Sequence, residues 1–188
     1  MLFRIIFISW FLLLMTSCTG QEPRKPIQYK SGSFIKESAE RNKKIYDEEK
    51  EFIKEIMRKD STETYYSSEQ GFWYSYKVRD TSQSNSPQVG DVVRFSYDIR
   101  DFSNHTILSK EEVGIQEYKV DQSNQDLISG IREGIKLMKP GEEVNFLFPS
   151  YKAYGYYGLE DKIGTNLPVQ STVKLYSIES SQTFNKEE

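Results

Sequence analysis

The stretch that most restricts how this chain can fold is residues 127–157, LISGIREGIKLMKPGEEVNFLFPSYKAYGYY. Its first part, residues 127–138, is predicted to be a helix because apolar residues recur at three- and four-residue steps. These residues are Leu127, Ile128, Ile131, Ile135, Leu137 and Met138. Pro140-Gly141 ends the helix, since proline cannot continue it and glycine allows the positive φ of a tight turn. Residues 144–148 then alternate as a half-buried strand, and a tyrosine-rich loop follows.

These residues resemble the signature of FK506-binding-protein-type (FKBP-type) peptidyl-prolyl isomerases. The similarity is carried, in order, by Ile128, Gly130, Glu133-Gly134, Met138-Lys139, Gly141-Glu142, Pro149 and Ala153-Tyr154-Gly155. Flanking matches lie upstream at Gly90-Asp91-Val92-Val93 and Tyr97, and downstream at Leu167-Pro168 and Thr172-Val173. The resemblance covers residues 88–180. It implies an α+β fold, an FKBP-like curved antiparallel sheet wrapped around one short helix, with an N-terminal helical extension.

Residues 1–17 have the pattern of a secretory signal peptide, with one arginine, a run of bulky apolar residues and small residues at the end. The next residue is Cys18, and Leu14-Met15-Thr16-Ser17-Cys18 resembles a bacterial lipobox, whose cysteine is diacylated after cleavage. Cys18 is the only cysteine, so no internal disulfide is possible. Either it is lipidated or it is a chance cysteine. Lipidation predicts an anchor at a membrane facing the periplasm, with the outer membrane favoured.

The segment after the cysteine is predicted to contain a tether and then a helix. Residues 18–33 hold several prolines and glycines and few apolar side chains, which indicates a flexible linker. Residues 34–59 carry a stripe of apolar side chains at helical spacing. Two interpretations of this helix remain open. It either packs on its own domain or forms an arm for homodimerisation or for contact with other proteins.

An aromatic and β-branched run at residues 72–78 predicts a strand, in which Trp73 is expected to be core rather than a ligand platform. In extended relatives a strand of this kind pairs with the sheet just before the main domain. The predicted division of the chain is 1–17 signal peptide, 18–33 lipid-anchored tether, 34–87 helix and strand extension, 88–180 FKBP-type domain and 181–188 polar tail.

Composition and charge exclude several classes of function. The chain has 25 basic and 28 acidic residues, a net charge of −3, and no basic patch, so nucleic acid is not an expected partner. His105 is the only histidine and Cys18 the only thiol, which argues against a metal site or a catalytic triad. Gly130 and Gly134 have no phosphate-binding loop around them. No cofactor is therefore expected.

Rotation about a prolyl bond needs neither a nucleophile nor a metal, because no group is transferred. The barrier of about 18–20 kcal/mol comes from amide resonance. A dry apolar cup with hydrogen-bond donors for substrate carbonyls favours the twisted, less dipolar amide over the planar one. A thousandfold acceleration requires only about 4 kcal/mol of differential stabilisation.

The resemblance implies which residues form this cup. Those in the catalytic positions are Tyr97, Tyr118, Ile128, Ile131 and Tyr154. Those in substrate-binding positions are Leu108, Ser109, Leu127, Leu167 and Leu175. The backbone amide of Ile128 and the hydroxyl of Tyr154 occupy donor positions of the family. Where the family commonly has phenylalanine, tryptophan and aspartate, this chain has Tyr118, Ile131 and Ser109.

The leading hypothesis is prolyl isomerisation that assists the folding of exported proteins, with proline-containing polypeptides as partners. The chain also resembles the lipoproteins of this family attached to the gliding-motility machinery of Bacteroidetes, which implies motility proteins as partners of residues 34–59. The alternative hypothesis is a non-catalytic FKBP-like interaction or chaperone module with a degenerate pocket. Ser109 and Ile131 are the residues that favour this alternative.

Overall fold

The structure is a computed structural model and describes residues 31–82, 85–122 and 127–180, with side chains from residue 34. The described helices are α1 (Ser31–Lys59), α2 (Lys110–Val113) and α3 (Ser129–Ile135). The strands are β1 (Tyr66–Ser67), β2 (Trp73–Val78), β3 (Val92–Tyr97), β4 (Ile99–Arg100), β5 (Thr106–Leu108), β6 (Gln116–Lys119), β7 (Glu143–Phe148) and β8 (Val169–Glu179). The chain divides into two units, residues 1–37 and 38–188. The described part of the first unit is the beginning of α1.

The strands form one antiparallel sheet in the order β1-β2-β7-β8-β3-β6, with β4 and β5 attached beside β8. In its centre Phe146 of β7 lies opposite Ser171 of β8. The register shifts between Arg94 and Phe95 where β3 meets β8, and again at the end of β2. Irregularities of this kind bend and twist strands, which lets the sheet curve around a helix. The α+β class predicted from sequence is therefore confirmed.

Helix α3 packs against the inner face of the sheet at very close range. A Cβ atom added to Gly134 would lie 2.8 Å from the Phe146 ring, and one added to Gly130 would lie 2.5 Å from the Phe148 ring. The Phe146 and Phe148 rings are stacked, with centroids 5.5 Å apart. Glycine is needed at both helix positions because any side chain would push α3 away from these rings. The buried core lies between α3 and the inner face of β3, β7 and β8.

Helix α1 covers part of the outer face. Ile53 is fully buried and forms a second apolar cluster with Trp73 and Leu147. Phe52 of α1 meets Phe102 edge to face, with ring centroids 5.3 Å apart. Trp73 is thus a core residue, and β2 pairs with β7 of the main sheet. From residue 38 onward the helix packs on its own domain, which is the first of the two interpretations of its sequence.

Several element boundaries differ from those predicted. Helix α3 is shorter than residues 127–138, because Ile128 has the extended angles φ −56° and ψ 144°. At its other end, the amide of Leu137 donates to the carbonyl of Gly134, so the chain turns before Pro140. Strand β3 ends before Asp98, whose carboxylate accepts the amide of Thr172 at 2.8 Å. Helix α1 begins at Ser31, within the predicted tether.

Other predictions fall on residues outside those described. They are the signal peptide, the lipidation of Cys18, most of the tether and the polar tail at residues 181–188. Among the helices that the structure describes, none combines the length and the apolar composition needed to cross a bilayer.

Candidate active site

Most of the residues expected in the cup belong to one apolar cluster. They are Tyr97, Leu108, Tyr118, Leu127, Ile128, Ile131, Tyr154 and Leu175, and we call this set the cup. Ile131 and Leu175 are fully buried. Tyr97, Leu108, Leu127 and Tyr154 are only partly buried and pack against the cluster. Side chains from β3, β5, β6, β8, α3 and the tyrosine-rich loop therefore converge although they are far apart in sequence.

Two tyrosines are placed in the cup by strands. Tyr97 ends β3, and its ring stacks on that of Phe95 with centroids 6.0 Å apart. Tyr118 of β6 lies opposite Val93 and is buried. The amide of Asp121 donates a hydrogen bond of 2.9 Å to the Tyr118 hydroxyl. The extra hydroxyl, relative to the family's phenylalanine, is therefore satisfied by the backbone next to it.

Ile128 precedes α3 and is buried in the cup. Its carbonyl accepts the amide of Arg132 at 3.2 Å, which starts the helix. Its own amide donates to no acceptor in the part of the chain that the structure describes. A backbone amide without a protein acceptor is free to donate to a ligand carbonyl or to water.

Tyr154 sits in a tight turn after β7. The Ser150 carbonyl accepts the amides of both Ala153 and Gly155, at 3.0 and 2.8 Å, and these bonds fix the backbone on either side of the tyrosine. Gly155 has φ +58°, a conformation that favours glycine. Burial raises the pKa of the Tyr154 hydroxyl, and the nearby Tyr97 phenol raises it further. The loop therefore presents a protonated hydroxyl to the cup.

The hydroxyls of Tyr97 and Tyr154 share two properties. Burial raises the pKa of Tyr97 as well, so both groups remain protonated at neutral pH. Neither hydroxyl has a hydrogen-bond partner within residues 31–82, 85–122 and 127–180. Both can therefore donate to a bound molecule without first breaking an internal bond.

Ser109 has a structural role that the sequence reasoning missed. Its hydroxyl accepts the amide of Glu112 at 3.2 Å, and its own amide donates to the Glu112 carboxylate at 2.8 Å. This reciprocal capping box begins α2, and the Ser109 amide is the first cause that lowers the pKa of Glu112. The Ser-x-x-Glu spacing at residues 109–112 is itself a signal for such a helix start. The predicted substrate-binding position is thus a helix cap.

Leu167 is the one apolar residue predicted for the cup that lies outside the apolar cluster. It is 39% exposed and lines a groove with Phe52, Phe102 and Pro168 on the side of α1. Ile163, which was not predicted, is 2% exposed and belongs to the cluster instead. It pairs with Leu159 across the short charged turn between them, and a charged turn flanked by two apolar residues is the sequence signal that was overlooked.

The described residues contain no group of three or more histidine, cysteine, aspartate or glutamate side chains that could hold a metal ion. His105 is largely exposed, and its Nδ1 lies 3.0 Å from Asp101 Oδ2. Tyr156 and Tyr157 are exposed and contact each other edge to face, away from the cup cluster. The chemistry available in the cup is apolar contact and hydrogen-bond donation.

A curved antiparallel sheet around one short helix is the fold expected of an FKBP-type domain. Residues 83–176 match the family model described as FKBP-type peptidyl-prolyl cis-trans isomerase. Because that match spans half of the chain, the protein belongs to this family.

The chain is also similar to named relatives. It is 33% identical over 129 residues to the probable FKBP-type peptidyl-prolyl cis-trans isomerase FkpA of Neisseria meningitidis serogroup B. That similarity covers 68% of this chain but only 44% of the relative. A peptidyl-prolyl cis-trans isomerase structure from Pseudomonas syringae pv. tomato has a TM-score of 0.57 and 19% identity, covering 73% of this chain and 96% of the other. The FkpA structure from Escherichia coli has a TM-score of 0.57 and 17% identity, covering 95% and 82%. These two likenesses support the fold.

Proposed function

We propose that the chain catalyses the cis–trans isomerisation of prolyl peptide bonds. The observation that carries the proposal is the set of donors around the cup that have no acceptor among the described residues: the Ile128 amide and the Tyr97 and Tyr154 hydroxyls. An apolar cluster whose partly buried members carry unused donors would hold a proline ring and the carbonyls beside it. Family membership supports the same reaction.

The cup would act by favouring the twisted imide over its planar forms. Ile131 and Leu175 form a floor that excludes water, and removal of water weakens the preference for the more dipolar planar amide. The Ile128 amide and the Tyr154 hydroxyl would hold the carbonyls while the bond between them rotates. Since no proton or group is transferred, the donors need only to remain protonated and in place.

A protease-coupled assay on a short proline peptide with the full chain tests this function. We expect catalysis by the unmodified protein and a loss of about a hundredfold in kcat/KM when Tyr97→Phe and Tyr154→Phe are combined, because two donors are removed. The matched control combines Tyr156→Phe and Tyr157→Phe, which removes two exposed hydroxyls and should leave the rate unchanged. A rate equal to the uncatalysed one in the unmodified protein would reject the proposal.

We propose that Cys18 carries a lipid anchor, that the domain at residues 88–180 faces the periplasm at the outer membrane, and that its substrates are exported proline-containing polypeptides. The signal-peptide and lipobox patterns support this placement. A role in gliding-motility machinery belongs to the same hypothesis. Labelling with radioactive palmitate, retained by the unmodified chain and lost in Cys18→Ser, tests the anchor on which the rest depends.

The second candidate is a non-catalytic interaction or chaperone module. Two observations favour it: the Ser109 hydroxyl is engaged in a helix cap, and the floor of the cup is Ile131 rather than a flat ring. Suppression of aggregation of an unfolded protein distinguishes the candidates. A holding function persists in the Tyr97→Phe, Tyr154→Phe variant and disappears when residues 34–59 are deleted.

A further inference from the structure

Glu49 of α1 is a buried carboxylate, with 8% of its surface exposed. It lies one turn before Ile53 on the face of the helix that meets the domain. Glu48 and Glu51, its neighbours in the same acidic stretch, are exposed. Removal of a carboxylate from water is costly unless donors surround it, so this position requires specific partners.

Both partners of Glu49 belong to a single residue far away in the sequence. The Ser150 amide donates to Oε2 at 2.8 Å, and the Ser150 hydroxyl donates to Oε1 at 2.6 Å. No basic side chain of the described residues forms an ion pair with Glu49. Each carboxylate oxygen of Glu49 therefore accepts one hydrogen bond from Ser150, and such charge-assisted bonds are short and strong.

Ser150 is the residue on which the turn around Tyr154 is built. It begins a 3₁₀ turn, Ser150–Lys152, whose preceding residue Pro149 offers no side-chain cap. Its carbonyl accepts the amides of Ala153 and Gly155, the residues on either side of Tyr154. Glu49 holds the amide of Ser150, and the carbonyl of Ser150 holds the backbone on either side of Tyr154. Hydrogen bonds at Ser150 thus connect Glu49 of α1 to the backbone on either side of Tyr154.

Other side-chain contacts of this loop do not reach the Ser150 amide. The Tyr151 hydroxyl donates to the Gly71 carbonyl at 3.0 Å, and Lys152 Nζ lies 2.6 Å from Glu133 Oε2. Both are made by side chains that follow Ser150, and neither satisfies its amide. Among the described residues, Glu49 alone bonds to the Ser150 amide.

We propose that Glu49 is a positioning residue for Tyr154, so that α1, which lies outside the family-matched residues 83–176, is part of the active unit. The inference rests on the proposed isomerase function. Through Ser150, Glu49 sets the distance across the cup between the Tyr154 hydroxyl and the Ile128 amide. Misplacement of a substrate-orienting group by about 1 Å can reduce a rate by as much as a hundredfold, so a distant contact can control kcat.

Three variants of the full chain test the contact itself. Glu49→Leu removes both acceptors and should lower kcat/KM by about tenfold. Glu49→Gln should stay within about twofold, because its amide oxygen can accept from the Ser150 amide while its NH2 group donates to the Ser150 hydroxyl. The matched control Glu48→Leu makes the same change at the adjacent exposed position and should leave the rate unchanged.

A double-mutant cycle separates positioning from general support of the fold. If Glu49 acts through Tyr154, Glu49→Leu causes no further loss in a Tyr154→Phe background but still causes its about tenfold loss in a Tyr97→Phe background. Equal losses in both backgrounds overturn the proposal.

Should Glu49→Leu fail to fold, the cycle is run with Ser150→Ala, which removes one of the two bonds and should lower kcat/KM by about threefold. An inactive unmodified protein overturns the proposed function and the positioning role together, whereas an active one with equal losses overturns the positioning role alone.

Discussion

The Tyr154 hydroxyl links the chemistry of the cup to the stability of the protein at high pH. Its pKa is raised first by burial and then by the Tyr97 phenol. An unfolded chain releases the tyrosine proton near pH 10, whereas the folded chain still binds it. Stability is therefore fully present below about pH 10 and is lost as pH rises from there towards the folded pKa. We expect the melting temperature to fall above about pH 10, and to fall less steeply in Tyr154→Phe.

Melting curves followed by circular dichroism from about pH 8 to about pH 11 provide the measurement. The control is Tyr157→Phe, because Tyr157 is 93% exposed and should leave the slope unchanged. Some slope should remain in Tyr154→Phe, since burial also raises the pKa of Tyr65, and that of Tyr151 to about 12. Identical slopes in the unmodified protein and Tyr154→Phe contradict the prediction.

Single residues show what the sequence could and could not specify about the site. All of the predicted site residues were located by resemblance. The structure brings the residues of the cup into one cluster and leaves Leu167 and Ser109 outside it. Ile163 was missed because the loop between Lys152 and Val169 has no periodicity, and only the charged turn between Leu159 and Ile163 indicates that these two residues pair. Glu49 could not be foreseen, because it lies in a charged run and its partner Ser150 is 101 residues away.

The packing of helix α3 against the sheet is sensitive to any side-chain volume added at its glycines. An alanine at residue 134 would gain helix propensity of about 1 kcal/mol over glycine. Its Cβ would, however, lie 2.8 Å from the Phe146 ring, which is fully buried and stacked on Phe148. Overpacking of this kind costs about 1–3 kcal/mol, so we expect Gly134→Ala to be destabilising on balance.

Urea unfolding of the full chain measures this balance. The control is Gly164→Ala, where an added Cβ meets nothing within 4 Å and the free energy of unfolding should change little. An increase in the free energy of unfolding for Gly134→Ala contradicts the close approach of α3 to β7.

Elements with strong periodicity were predicted well, and those set by tertiary contacts were not. The apolar stripe of α1 and the alternation of β7 were sufficient to predict these elements, because burial of one face dictates both patterns. The break after β3 depends on the hydrogen bond that the Thr172 amide donates to the Asp98 carboxylate, and no local pattern indicates this contact. Helix α2 is too short to show periodicity, and only its capping box at Ser109 indicates it.

At the scale of the whole molecule, α1 shields an apolar face that the domain would otherwise expose. Trp73 is buried by its contacts with Ile53 and Leu147. Trp10 and Trp73 are the two tryptophans of the chain, so residues 31–188 and 61–188 each contain only Trp73. We expect the shorter chain to show red-shifted tryptophan emission and more aggregation, because its outer face meets water.

Fluorescence spectra and light scattering of the two chains test this shielding. The matched point variant is Ile53→Asp in residues 31–188, which places an unpaired charge in the contact and should reproduce the shift. Unchanged emission in both altered chains contradicts a sheet that is covered by α1.

The strands at the two ends of the sheet order are short or expose charged side chains. At one end β1 has two residues, and at the other β6 exposes Glu117 and Lys119, with Glu117 paired to Arg94 at 3.3 Å. Among the described strands, these two edges therefore offer an unfolded polypeptide no long row of vacant backbone groups with which to pair.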